Sequence, residues 1–282
     1  CLVLDTIVRP ISDRCTLDLN VWYMDDGYLA GSEDELLNAM SIIETEGADL
    51  GIFLNREKCE LCGPSPTLQG LADIPHSDDG FLALGVPIGD VEFSTASVQD
   101  NFDKFYARFD AISTLDDMQS SLILFRYLIF SQVNFLLRSC PPDSIKDALY
   151  EYDSYSKHCL ESIVGMKLPK ASYLQATLPI HLGGLGARSA VRHAPAAFIS
   201  SSLAIAPLVN RLCNTNDLTP TIIEIESAIS SLNRDLDKFF FSTGHERQRD
   251  ISRLLDEKLL DTLQSKADIE DRTRLVAIRQ DH

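Results

Sequence analysis

Leu17, Leu19 and Val21 alternate with polar or small neighbours, the period of a half-buried strand, and a second apolar run resumes at Tyr28-Leu29-Ala30. Asp26-Gly27 supplies turn chemistry between them. The stretch therefore predicts a tight β-hairpin over about 17–30, with the adjacent carboxylates Asp25 and Asp26 at its tip. Residues 1–10, mostly apolar and ending at Pro10, read as the end of a buried helix. Ser32-Glu33-Asp34-Glu35 is a helix start, with Ser32 as N-cap, Glu35 at the capping-box position and acids in the first turn. Leu36, Leu37, Met40 and Ile43 continue its apolar face to a close at Gly47.

Leu50 to Asn55 predicts a short strand or turn leading into a short strand at Lys58 to Leu61, and 63–80, with three prolines and three glycines, predicts a loop. Phe81 to Gly89 predicts a second hairpin. Beyond it the period changes: Val98, Phe102, Phe105, Phe109 and Ile112 fall at helical spacing, a stripe that reads as core. Helices are expected at about 98–113, 117–137, 143–164, 188–204, 220–239 and 244–278. The fold class is α+β: hairpins with a helix over 1–97, an all-α region over 98–205 and a helical extension over 206–282.

Composition is that of a globular chain, 282 residues with 45% hydrophobic. The start at Cys1, running straight into Leu2-Val3-Leu4, and the stop in a charged pattern suggest an excerpt of a longer chain. Leu122 to Phe125, resuming at Tyr127 to Phe130, is the best apolar stretch and falls short of the roughly 20 residues that span a bilayer, so no membrane partner is expected. Seven scattered cysteines suggest reduced thiols and an intracellular setting. Cys59-x-x-Cys62 with His76 is a weak zinc pattern, and free thiols flanking a strand are the preferred reading.

The net charge of −17 at first argues against nucleic acid, a polyanion. Its distribution changes that: residues 1–100 carry 19 acids and 4 bases, whereas 118–213 carry 9 bases and 5 acids. An acidic region can hold cations while a neighbouring basic one meets phosphates, although two ordinary solvated faces would look the same. Leu178 to Gly186 is apolar and glycine-rich but lacks both the Lys-Ser/Thr pair of a P-loop and the GxGxxG spacing, so it reads as a packing loop.

Tyr23-Met24-Asp25-Asp26 on a hairpin, then a helix, then Leu54-Asn55 with Lys58, then Leu84-Gly85-Val86-Pro87-Ile88-Gly89, in that order, resembles the later half of a reverse transcriptase palm. Leu136-Leu137-Arg138 before Pro141-Pro142, and His181 to Ala190, are similar to thumb segments of LINE-like, non-LTR retrotransposon polymerases. The resemblance covers residues 1–205. It implies a partial palm followed by a thumb, and RNA-directed DNA synthesis by two-metal nucleotidyl transfer, with two Mg²⁺, or Mn²⁺ in their place, in the intact enzyme. RNA template, DNA primer and dNTPs are the partners so implied, together with the missing palm and fingers segment of the same chain.

By the same resemblance Asp25 would bridge the metals, Asp26 would support the site, and Lys58 would be the general acid to departing pyrophosphate. Tyr23 and Met24 would lie beside the primer terminus, and Leu84, Gly85 and Gly89 would shape the primer grip. Arg126, Arg138, Arg188 and Arg192 would touch the duplex backbone. The family's third carboxylate lies on an earlier strand. Asp5, Asp13 and Asp18 are the acids upstream here, and none has that context, so this chain alone is expected to be inactive. A catalytically silent nucleic-acid-binding or interaction module derived from such an enzyme is the alternative, and an unrelated metal-dependent phosphohydrolase a third.

Overall fold

The computed structural model describes residues 2–212, 219–236 and 247–280. Cys1, Cys213 and the parts of the expected helices at 237–239 and 244–246 lie outside the described residues. The chain is mixed α+β, mostly helical, and forms two units: Cys1–Leu82 with Ile88–Asp90, and Ala83–Pro87 with Val91–His282.

In the first unit, α1 (Leu2–Arg14) packs the fully buried Ile7 and Ile11 against Ala39, Ile42 and Ile43 of α2 (Glu33–Asp49). The hairpin β1 (Leu19–Tyr23) and β2 (Asp26–Ala30) adds Trp22 and Leu29 to this small core. Ser32 caps α2 by accepting from the Glu35 amide, but the Glu35 carboxylate accepts from the Thr16 amide at 2.8 Å and so ties the incoming chain to the helix. Of the strand or turn expected at 50–55, the structure has the turn, the reversal that ends α2. Gly51 takes φ +72°, the Ile52 amide donates to the Gly47 carbonyl and the Gly51 amide to the Ala48 carbonyl, a glycine-closed helix end.

A 3-10 turn at Arg56–Lys58 follows, in place of the start of the second expected strand. β3 (Leu61–Cys62) then pairs in parallel with β4 (His76–Ser77). Two polar clamps hold the loop between them. Glu33 accepts from the Thr67 amide and hydroxyl and the Leu68 amide, which holds its carboxyl below the usual range. Arg56 grips Asp73 with two nitrogens at 2.7 Å, Glu44 at 2.9 Å and the Gly70 carbonyl at 2.6 Å. β5 (Gly80–Ala83) and β6 (Val86–Gly89) form the second hairpin.

The second unit begins with α3 (Val91–Ser113), which starts seven residues before the expected 98. α4 (Met118–Leu124), capped by Asp117, runs through a π-helical turn at Phe125–Ile129 into α5 (Phe130–Ser139). Met118–Ser139 is long and apolar enough to cross a membrane by length and composition, which the shorter runs read from sequence were not. One face of that helix supplies Phe125, Ile129, Val133, Leu136 and Leu137 to the core. There they meet Phe102, Phe105 and Phe109 of α3 and Tyr152 and Leu160 of α6 (Lys146–Val164).

α7 (Lys170–Thr177) falls where no helix was expected. α8 (Ala190–Leu212) runs past 205 and accommodates Pro195 and Pro207. α9 (Thr219–Leu236) and α10 (Gln248–Lys266) share a second core with it through Ile199, Leu232 and Leu255. The single helix expected to reach 278 breaks at Ala267-Asp268, where Asp268 accepts from the Asp271 amide and opens α11 (Ile269–Gln280). The segments after 206 thus belong to the same unit as those before it.

Candidate functional site

The β1–β2 register pairs Trp22 with Gly27 and Tyr23 with Asp26, so the turn residues are Met24 and Asp25 rather than Asp26-Gly27. Gly27 has a packing reason to be glycine: a Cβ there would lie 2.8 Å from the Trp22 ring, which is itself oriented by donation from Nε1 to Asn20. Displacing the turn by two residues puts Met24 at φ +55°, a left-handed backbone that costs a bulky residue about 1 kcal/mol. Tyr23, Met24, Asp25 and Asp26 are all exposed. Among the described residues neither carboxylate has a hydrogen-bond or ion-pair partner.

The second hairpin repeats the strain. Leu84 at φ +51° and Gly85 at φ +81° make its turn, and Leu84 is exposed, as is Gly89 at the end of β6. Only glycine of the two turn residues suits that backbone. In the first unit Tyr28 of β2 and Phe81 of β5 lie with ring centroids 6.3 Å apart. Lys58, exposed at the end of its 3-10 turn, has no ion-pair or hydrogen-bond partner for its ammonium among the described residues, and no contact joins it to Asp25 or Asp26.

The four arginines have different fates. Arg138 is exposed at the end of α5. Arg126 sits in the π-helical turn with its guanidinium 5.0 Å from the Tyr127 ring centroid. Arg192 is partly buried on α8, where its charge acts on Asp153, His193 and Asp256. Arg188 is committed internally: Nη1 lies 2.6 Å from both oxygens of the buried Asp256 and 3.0 Å from Nε2 of the buried His193. His193 Nδ1 is 3.3 Å from the Ser252 hydroxyl.

Serine, histidine and aspartate thus lie in line, yet the arrangement opposes a nucleophilic triad. Arg188 can only donate, so Nε2 accepts, Nδ1 keeps the proton, and the imidazole donates to Ser252 instead of taking its proton. Burial, and after it the Arg188 and Arg192 charges, hold His193 well below the ordinary histidine pKa. Burial pushes the Asp256 carboxyl up, against Arg188, which stabilises its charge. A partly buried acid, Asp153, accepts from the Ser189 hydroxyl at 2.5 Å and the Ala190 amide at 2.7 Å, and so caps α8. Its burial raises it to about 6. Sequence reasoning missed this cluster because its members are up to 68 residues apart and share no local pattern.

Metal ligation fits these residues poorly. Among the described residues no group of three or more His, Cys, Asp or Glu side chains could hold an ion. Asp25 and Asp26 offer two carboxylates, enough for Mg²⁺ only where phosphate oxygens complete the shell. The Cys59-x-x-Cys62 pattern is open too: the Cys59 thiol donates to the Asn55 carbonyl, and His76 Nε2 lies 2.6 Å from the Gly63 carbonyl. No protein-family model, curated protein or solved structure matches the chain.

Proposed function

We propose that this chain is the later half of a reverse transcriptase palm joined to a thumb-like helical unit, and that it engages a primed template in an RNA-directed DNA polymerase. The observation that carries the reading is the strained hairpin. A methionine held at positive φ presents an exposed, unpartnered Asp25 at the turn, and a second exposed hairpin strains Leu84 in the same way. Backbone strain of this kind concentrates where a chain binds or reacts. Unpartnered paired carboxylates suit cations arriving with a nucleotide, and the exposed ammonium of Lys58 suits a departing anion.

A second reading, a nucleic-acid-binding module without catalysis, is favoured by the lack of a three-donor cluster among the described residues. One experiment separates them. The 282-residue chain is expected to bind a primed RNA template, more weakly as salt rises, without extending it. Joined to an upstream palm segment that supplies a third carboxylate, it should incorporate dNTPs, and Asp25→Asn should abolish incorporation. Extension that persists in Asp25→Asn would sink the polymerase reading, and failure to bind primed template would sink both.

A further inference from the structure

The π-helical turn and the glycine-rich loop border an open cavity of about 310 Å³ lined by Arg126, Tyr127, Phe130, Ile180, His181 and Arg188. In a chain of net charge −17, two guanidiniums and an imidazole line it; Asp256 pairs with Arg188 from behind the lining, so Arg126 is the guanidinium with no acid partner among the described residues. Arg126 is positioned without an acid: it lies over the Tyr127 ring and against Gly186, where a Cβ would come within 3.0 Å of its Nε. Gly186 (φ +73°) is in turn fixed by donation from its amide to the Leu178 carbonyl at 2.8 Å. Arg188 uses Nη1 for Asp256 and His193, which leaves Nε and Nη2 without an acceptor among the described residues. The turn that presents Arg126 and Tyr127 is π-helical, a local irregularity that favours functional sites.

We propose that this cavity binds the phosphate of a nucleotide, with the phosphoryl oxygens taken by Arg126, Arg188 and His181 and the base against Tyr127, Phe130 and Ile180. Planar guanidinium forks match phosphate oxygens two at a time, and an exposed aromatic ring accepts any base face. The volume is at the lower end of small-ligand sites, the size of a single nucleotide. An adjoining cavity of about 1010 Å³ shares Phe130, His181 and Arg188, but there Asp250, Asp256 and Glu257 balance Arg188, Arg249 and Arg253. The anion therefore belongs in the smaller one. The site rests on the reading of Arg126 and Arg188 as phosphate contacts and gives it a ligand, but it uses none of Asp25, Asp26 or Lys58, so it can fail while the polymerase reading stands.

Calorimetric titration of the full chain tests it with a nucleoside 5′-monophosphate, inorganic phosphate, and a trinucleotide with or without a 5′-phosphate. The monophosphate is expected to bind at least about tenfold more tightly than inorganic phosphate, the difference being ring stacking. Arg126→Gln should weaken it by roughly 10- to 100-fold, the scale of a charge-assisted hydrogen bond. Tyr127→Ala, at a side chain 67% exposed, keeps the test valid should Arg126→Gln fold poorly, and should weaken binding about tenfold. Arg108→Gln removes a guanidinium 5.7 Å from the Phe105 ring, outside the cavity, and should change nothing. A phosphorylated trinucleotide that binds more tightly than the monophosphate supports a strand end as the source, and the reverse order supports free nucleotide. No binding of monophosphate, equal binding of inorganic phosphate, unchanged binding by Arg126→Gln, or an equal loss in Arg108→Gln would each overturn the proposal.

Discussion

Arg56 in the first unit and Arg188 in the second each gather a carboxylate, in surroundings that make their roles different. Arg56 is 30% exposed and its partners Asp73 and Glu44 are about half exposed, so water screens the pairs and they do little more than pin the 63–75 loop. Asp256 is 5% exposed and His193 3%, against 24% for Arg188, so the second cluster is far better shielded from water than the first. The same contrast runs through the apolar packing. A short α1–α2 seam supports the first unit, whereas interlocked aromatic rings of α3, α6 and the π-helical turn support the second. The thin seam carries the strained, exposed Met24 turn, and the thick core holds buried charge.

The sharpest way to break this comparison is Arg188→Ala, which leaves the buried Asp256 carboxylate without its cation. Urea unfolding should show a loss of about 3–5 kcal/mol, and Arg188→Met with Asp256→Leu should recover most of it. A small loss would mean that water reaches the cluster.

The next largest effect is on pH dependence. His193, depressed by burial, stays neutral when folded, so its contribution is present above the unfolded pKa of about 6.5 and is lost as pH falls below it, by roughly 1.4 kcal/mol per pH unit. Asp153, raised to about 6, acts in the opposite sense: its contribution is present at low pH and is lost as pH rises from the ordinary aspartate range through about 6. The slopes oppose between about pH 4 and 6. They separate in variants: stability curves of His193→Gln should lose the acid-side fall, and those of Asp153→Asn the fall on going up.

Arg56→Ala should cost only about 1 kcal/mol. Limited proteolysis should nevertheless find faster cutting within 63–75 while the helical unit stays protected. Smallest of all, Asp25→Asn with Asp26→Asn should shift stability by no more than about 0.5 kcal/mol, since both side chains are exposed and unpartnered. A large destabilisation would show that the pair has a structural job and would remove the argument for a functional one.

Local rules made the hairpin over 17–30, the Ser32 cap and the Phe102, Phe105, Phe109 stripe legible, because each depends on neighbours a few residues away. They misplaced the hairpin turn, because the reason for Gly27 is the Trp22 ring across the strand pair. They left 50–55 open between strand and turn because Ile52, Phe53 and Leu54 are apolar beside a glycine, and Gly51 at positive φ folds that segment back on α2. α7 was not legible at all. It has almost no one-sided apolar pattern to betray it, being only eight residues long with Ala176 and Thr177 buried at its end. Arg188 looked like a surface cation in the sequence, and its partner 68 residues away makes it an internal one.

By itself, then, the sequence determined the alternation of short strands and helices, the acid-rich first hundred residues, and the adjacent carboxylates on a turn, since propensity, period and charge are local properties. Tertiary structure alone decided which charges are spent inside the molecule and which face outward. It buried Asp256 and His193 against Arg188 and left Arg126 over Tyr127 with no acid partner among the described residues. Burial and pairing depend on which distant segments meet, and no window of neighbouring residues carries that information.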